Sequence, residues 1–263
     1  MIDPLRGDRE GPVQEPGYYF PARRVRGYLD GLPPSPTALE PAYLPPLTER
    51  IAIMTHDDEF DARLHEREQA LGIEATWFLL TEALFDDLPE GLDVQLHFDK
   101  ERGRLAEQID VFHLRVGHAP RFNRTHRLFW RGDNFDYPLL ASHGIAADST
   151  RIGTRPYRPV VEGRVLPLWE IPFSSVDTPL DTKAIYNPGD SPSAPFRLGV
   201  SPAVILSHPP AVCERHQFRS CFDEAVAAAR AHGYRFMSLS QFFDAYCRDV
   251  PSPRIVRALA QPV

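Results

Sequence analysis

The chain is short of the features that mark several large protein classes. It has 3 cysteines among 263 residues, Cys213, Cys221 and Cys247, too few and too scattered for a disulfide framework. Cys213 and His216 have a zinc-like spacing, but no second ligand pair follows within reach, so an ordinary loop is expected there. Long apolar runs are missing. Ile51 to Met54 and Ala203 to Leu206 are among the longest, which excludes a membrane-spanning helix from the sequence. Positive charge is in deficit, with a formal net charge of −7, where a nucleic-acid binder would show a basic stripe. Lysine is almost absent, represented by Lys100 and Lys183 alone. The opening Met-Ile-Asp-Pro-Leu-Arg-Gly-Asp has no basic end running into an apolar stretch, so no secretory signal is read and a cytoplasmic location is expected.

What is present is ordinary in bulk, 43% apolar and 25% charged, the proportions of a globular protein with a sizeable core. Proline is the exception at 27 residues. It is concentrated over residues 1–48 among Tyr18, Tyr19, Phe20 and Tyr28. Each proline removes a donor and fixes φ, which excludes continuous helix or central strand. An extended arm wrapping the rest of the molecule is expected over 1–48, followed by a single domain over 49–263.

From Arg50 onward, strands and helices take turns. Arg50–Thr55, Ala75–Leu80, Leu92–His97, Pro120–Thr125, Ile145–Asp148, Val165–Ile171, Ala203–Ser207 and Phe236–Leu239 read as strands. Helices are expected over Glu59–Leu71, Leu105–Val116, Tyr137–Ser142, Phe218–His232 and Ser240–Cys247, the second from Leu105, Ile109, Phe112 and Val116 at helical spacing. Such alternation implies a parallel sheet with crossover helices.

In parallel sheets, functional residues gather where strands end. The first strand runs into Thr55-His56-Asp57-Asp58-Glu59, and three consecutive acids beside a buried strand are costly unless used. A helix amino-terminus would account for one or two of them. The third strand ends in His97-Phe98-Asp99, the next runs into Asn123-Arg124-Thr125-His126, and a later one into Leu206-Ser207-His208. Asp, His and Arg at converging strand ends are what metal-assisted hydrolysis requires. His65, His113, His118, His143, His216 and His232 lie within helices or loops and take no role.

These motifs, in this order, resemble those of the polysaccharide deacetylase (NodB-homology) family over roughly residues 48–248. The resemblance implies an α/β fold, a distorted, incomplete (β/α) barrel. Thr55-His56-Asp57-Asp58-Glu59 is similar to the family's Thr-Phe-Asp-Asp-Gly, which implies that Asp57 is the catalytic base and Asp58 a metal ligand. His97 matches the first histidine of the His-Ser/Thr-x-x-His motif, but Glu101 stands in the place of the second. Arg124 fits the arginine that orients the base, and Leu206-Ser207-His208 fits the closing Leu-x-His, with His208 as general acid. The Pro-Pro-Tyr-Gly that usually accompanies the arginine is missing.

Two residues compete for the third ligand place. Asp58, His97 and His126 each follow a different strand and can converge, whereas Lys100 and Arg102 could pair with Glu101 in solvent. His126 is therefore the expected ligand, with Glu101 the rival. Asp148 is a candidate to support His208, with an ordinary turn as the alternative. A divalent metal ion is expected, zinc first; a mixed nitrogen and oxygen donor set also suits cobalt, nickel, manganese or iron. The function implied is hydrolysis of an acetyl or other acyl group from an amino sugar or related amide, with a small-molecule or oligosaccharide substrate and no nucleic-acid or membrane partner. The alternatives are a metal-free amidohydrolase on the same fold and a carbohydrate-binding pseudoenzyme using Trp130, Trp169 and the tyrosines of the arm.

Overall fold

A computed structural model describes residues 42–84, 88–128, 136–161, 164–176, 193–209 and 216–251. Most of the expected arm, Trp130, Lys183 and Cys213 fall outside the described residues.

The strands in chain order are β1 (Ala42–Tyr43), β2 (Ile51–Asp58), β3 (Thr76–Leu79), β4 (Asp93–Phe98), β5 (Phe122–Thr125), β6 (Ala147–Asp148) and β7 (Tyr157–Arg158). They continue with β8 (Val160–Val161), β9 (Arg164–Val165), β10 (Trp169–Glu170), β11 (Ser175–Val176), β12 (Ala203–Ser207) and β13 (Arg235–Phe236). The helices are α1 (Ala62–Ala70), α2 (Leu105–Val116), α3 (Asp136–Ser142), α4 (Ala194–Arg197), α5 (His216–Ala231) and α6 (Leu239–Phe242). None among the described residues is long and apolar enough to cross a membrane.

The main sheet runs β1-β7-β10-β6-β5-β4-β3-β2-β12-β11, with β13 paired to the start of β2. Every pairing from β10 through β6 to β12 and β11 is parallel, and only β7 with its two neighbours is antiparallel. The sheet curls without closing and forms a distorted, incomplete (β/α) barrel.

A central parallel strand is buried on both faces, and β2 shows why the site forms where it does. Ile51 and Ile53 point into the barrel and pack with Phe78, Phe122, Phe173, Val204 and Leu206. Ala52 and Met54 point outward to Trp77, Leu96, Ile205 and the helix residues Leu64 and Phe112. The period of two then carries Thr55 and Asp57 inward and His56 outward.

Most element boundaries shift by a residue or two from the sequence reading, and three differences have local causes. The first strand continues through the motif to Asp58, and α1 waits for its cap, since Asp61 accepts from the backbone N–H groups of Arg63 and Leu64 at 2.9 and 3.1 Å. The single strand expected over Val165–Ile171 is two. Arg164–Val165 pairs with β8 in a separate hairpin, Trp169–Glu170 joins the main sheet, and Pro167, which has no N–H to give, lies between them. The last strand stops at Phe236 because Ser238 caps α6: its Oγ accepts from Gln241 N, and Gln241 Oε1 accepts from Ser238 N.

Candidate active site

Asp57, Asp58, His97, Arg124, His126 and His208 all sit at the carboxyl ends of neighbouring parallel strands. Cα pairing sets His97 against Arg124 and Ser207 against His56, so β2, β4, β5 and β12 deliver their last residues to one rim. Asp58 ends its strand at φ 76°, a left-handed conformation that costs a non-glycine residue about 1–3 kcal/mol.

Arg124 is fully buried and every nitrogen of its guanidinium has a partner. Nε donates to Ser149 O at 2.8 Å and Nη2 to Ser149 Oγ at 2.8 Å. Nη1 donates to Thr55 Oγ1 at 2.7 Å and to Asp57 Oδ1 at 2.8 Å. Its carbon lies 4.5 Å from the Phe78 ring centre and 5.7 Å from that of Phe173. Asp57, 2% exposed, is therefore held as an ion pair whose orientation the surrounding strands fix.

Beside this pair, three ligand atoms of Asp58, His97 and His126 lie within 4.8 Å of one another. Asp58 Oδ1 is 3.3 Å from His97 Nε2 and 3.5 Å from His126 Nε2. His97 Nδ1 is 2.9 Å from Arg124 O, an acceptor only, so Nδ1 is the donor and Nε2 is the ring nitrogen left to face Asp58. Asp58 Oδ1 is buried with no hydrogen-bond partner. An orphaned carboxylate oxygen facing imidazole nitrogens is a donor set that fits a divalent cation. Burial by itself would raise the Asp58 carboxyl; His97, and the charges of His208 and His126, outweigh it and hold the group below the usual carboxylate range. His208, half-buried one residue past β12, is thus within electrostatic reach of Asp58.

Glu101 sits apart from this trio. Its side chain is 66% exposed and meets Arg127 Nη1 at 3.2 Å. The partner differs from the sequence expectation, because Lys100 is taken by Asp136 at 2.6 Å and Arg102 by Glu82 at 2.6 Å and Asp99 at 3.2 Å. Asp148 lies on the helix-covered face of the sheet. It accepts from Asn123 Nδ2 and Thr150 Oγ1, each at 2.8 Å, and is the cross-strand neighbour of Glu170. Trp169, 2% exposed, is core, which removes it as a sugar platform.

Several participants were not singled out from the sequence. Ser149 and Thr55 lock Arg124. His56 joins Ser207 Oγ through Nδ1 and Glu68 Oε1 through Nε2, both at 2.6 Å, tying β12 and α1 to the strand that carries Asp57. Asp99 reaches His126 Nδ1 at 3.1 Å; its place two residues after His97 was the available signal.

No protein-family model matches the sequence, and no curated protein matches it. Among solved structures, a probable polysaccharide deacetylase from Pseudomonas aeruginosa PAO1 aligns with a TM-score of 0.52 at 13% identity, over 78% of this chain and 93% of that one. A polysaccharide deacetylase from Bacillus cereus gives 0.48 at 15% identity, over 72% and 92%. The CE4 domain of a multidomain xylanase from the hindgut metagenome of Trinervitermes trinervoides gives 0.47 at 15% identity, over 75% and 91%.

Proposed function

We propose that this chain, which has the polysaccharide deacetylase fold, is a metal-dependent hydrolase that removes an acetyl or other acyl group from an amino sugar or related amide. The observation that carries the reading is the buried Arg124–Asp57 pair set beside the Asp58, His97 and His126 trio. A carboxylate paired with a buried guanidinium and immobile next to a cation site is the arrangement a general base needs.

In this mechanism Asp57 takes a proton from the attacking water through Oδ2, the oxygen that Arg124 does not engage. Arg124 holds Oδ1 at 2.8 Å, so that oxygen would not serve as a ligand to a bound cation. Asp58, His97 and His126 would hold a divalent ion, zinc first, which supplies Lewis-acid polarisation of the scissile carbonyl and acidification of water when bound. His208 approaches from β12 and donates a proton to the departing nitrogen. The substrate is a small molecule or oligosaccharide carrying an N-acyl group.

Metal analysis of the purified protein, combined with an acetate-release screen over N-acetylated amino sugars, tests the reading. Stoichiometric metal, and activity lost to a chelator and restored by zinc, is the expected result. Activity that survives metal removal would point to a metal-free amidohydrolase. Binding of acetylated oligosaccharides without acetate release would point to a pseudoenzyme.

A further inference from the structure

The two histidines of the trio are held in unequal ways. His97 belongs to β4, where its backbone is paired in the ladder and its ring is 1% exposed. His126 lies past the end of β5 in a short 3-10 turn, His126–Leu128, whose second residue, Arg127, has φ 55°. The sheet orients the first ring and does not orient the second.

Asp99 supplies what the sheet does not. Its Oδ2 lies 3.1 Å from His126 Nδ1, while Oδ1 accepts from Glu101 N at 2.9 Å. Its backbone is gripped at both ends by one side chain: Asp99 N donates to Gln108 Oε1 at 3.0 Å, and Gln108 Nε2 donates to Asp99 O at 2.7 Å. The carboxylate is buried at 5% exposure and cannot turn without breaking these contacts. With Nδ1 donating to Asp99, His126 must present Nε2 as a lone pair toward Asp58, and the carboxylate makes that nitrogen a stronger donor.

We infer that Asp99 is a positioning residue that fixes the tautomer and aim of His126, so that His126 can stand as third ligand where Glu101 does not. The inference rests on the proposed metal-binding reading and deepens it. Of the two basic residues beside Asp99 in sequence, Lys100 pairs with Asp136 at 2.6 Å, and Arg102 Nε meets Asp99 Oδ2 at 3.2 Å from a side chain 57% exposed, where solvent screens its charge.

The test is zinc affinity of the full chain, measured by competition with a chromogenic chelator, for the wild type, Asp99→Asn, His126→Ala and the double variant. Asp99→Asn keeps the shape and the bond to Glu101 N but removes the charge. It is expected to weaken zinc binding about 10–100-fold and to add nothing further in the His126→Ala background, the non-additivity of residues acting through one another. Asp99→Ser still accepts from Glu101 N and so keeps the turn; it should show the same loss if Asn disturbs folding. Wild-type affinity in Asp99→Asn and Asp99→Ser, or an equal loss with and without His126, overturns the inference while leaving the metal reading intact. A wild type that binds no zinc overturns both, and a His126→Ala variant of undiminished affinity overturns the inference together with the place of His126 as third ligand.

Discussion

Arg124 carries a full charge in a place with no exposure to solvent, and among the described residues Asp57 is its only carboxylate partner at contact distance, 2.8 Å. Removing one member of such a pair strands the other, which typically costs about 3–5 kcal/mol. Asp57→Asn is therefore expected to do two separable things. Turnover should fall about 10²–10⁴-fold, the loss of a general base, and the denaturation midpoint should drop as well, while zinc content stays near wild type because the trio is untouched. Arg124→Lys should lower stability and rate together, since one ammonium cannot reach Ser149, Thr55 and Asp57 as the planar guanidinium does. Acetate release and urea denaturation on the same preparations check both, and wild-type turnover in Asp57→Asn would remove its assignment. At this scale the acids, histidines and arginine could be picked from the sequence because each ends an apolar strand. Asp99 offered only its place two residues after His97, and Ser149 offered nothing, since their importance depends on which neighbour their side chains meet.

Between elements, the outward-facing His56 does for the framework what the inward-facing Asp57 does for the site. It bonds Ser207 on β12 and Glu68 on α1, each at 2.6 Å, and packs on Trp77 with ring centres 4.3 Å apart. Glu68 is fully buried, so Glu68→Ala leaves a buried imidazole short of a partner and opens a void. A loss of about 2–4 kcal/mol is expected from the unsatisfied group and the cavity, read as a lower thermal midpoint, with Glu68→Gln retaining part of it. An unchanged midpoint would mean that α1 is anchored by Leu64 and its apolar neighbours alone. The alternation of strands and helices was legible in the chain because apolar runs and helical spacing report burial directly. The bond from His56 to Glu68 was not: an acid on a helix reads as solvent-facing until the fold shows which side of the helix meets the sheet. The split at Pro167 and the cap at Ser238 were readable in principle, since both rest on local backbone chemistry, but apolar continuity through Leu166 and Leu168 and through Met237 and Leu239 masked them.

Across the whole molecule, the barrel holds acidic groups in two opposite environments. At the rim, Asp58 is held below the usual carboxylate range. Beneath α3, Glu170 and Asp148 are pushed up, chiefly by burial, with the charge of Asp148 weighing on Glu170 as well. Tyr137 donates to Glu170 Oε2 at 3.0 Å and Arg151 N to Oε1 at 3.0 Å. A carboxyl whose folded value is raised contributes its stability below the ordinary value, 4.5 for Glu170, and loses it as pH rises toward the raised one. Stability should therefore decline as pH rises above about 5 by more than in Glu170→Gln, whose side chain at this position does not titrate. Urea midpoints of the two proteins across that range decide it; parallel profiles would show that Glu170 is ionised throughout. This cluster was out of reach of sequence reasoning, because Asp148 and Glu170 are brought together only by the register of β6 and β10.

The same dependence on register governs the trio. Asp58, His97 and His126 come from β2, from β4 and from the turn after β5, and β3 lies between the first two strands in the sheet. No segment of the chain short enough to bend back on itself contains two of them, so the unfolded chain has no chelate to offer. Under the proposed reading the sheet itself would be the chelator, and an ion seated there would act as a clasp across four strands. Its occupancy would be a measure of how much of the protein is folded, and its affinity part of what keeps it so.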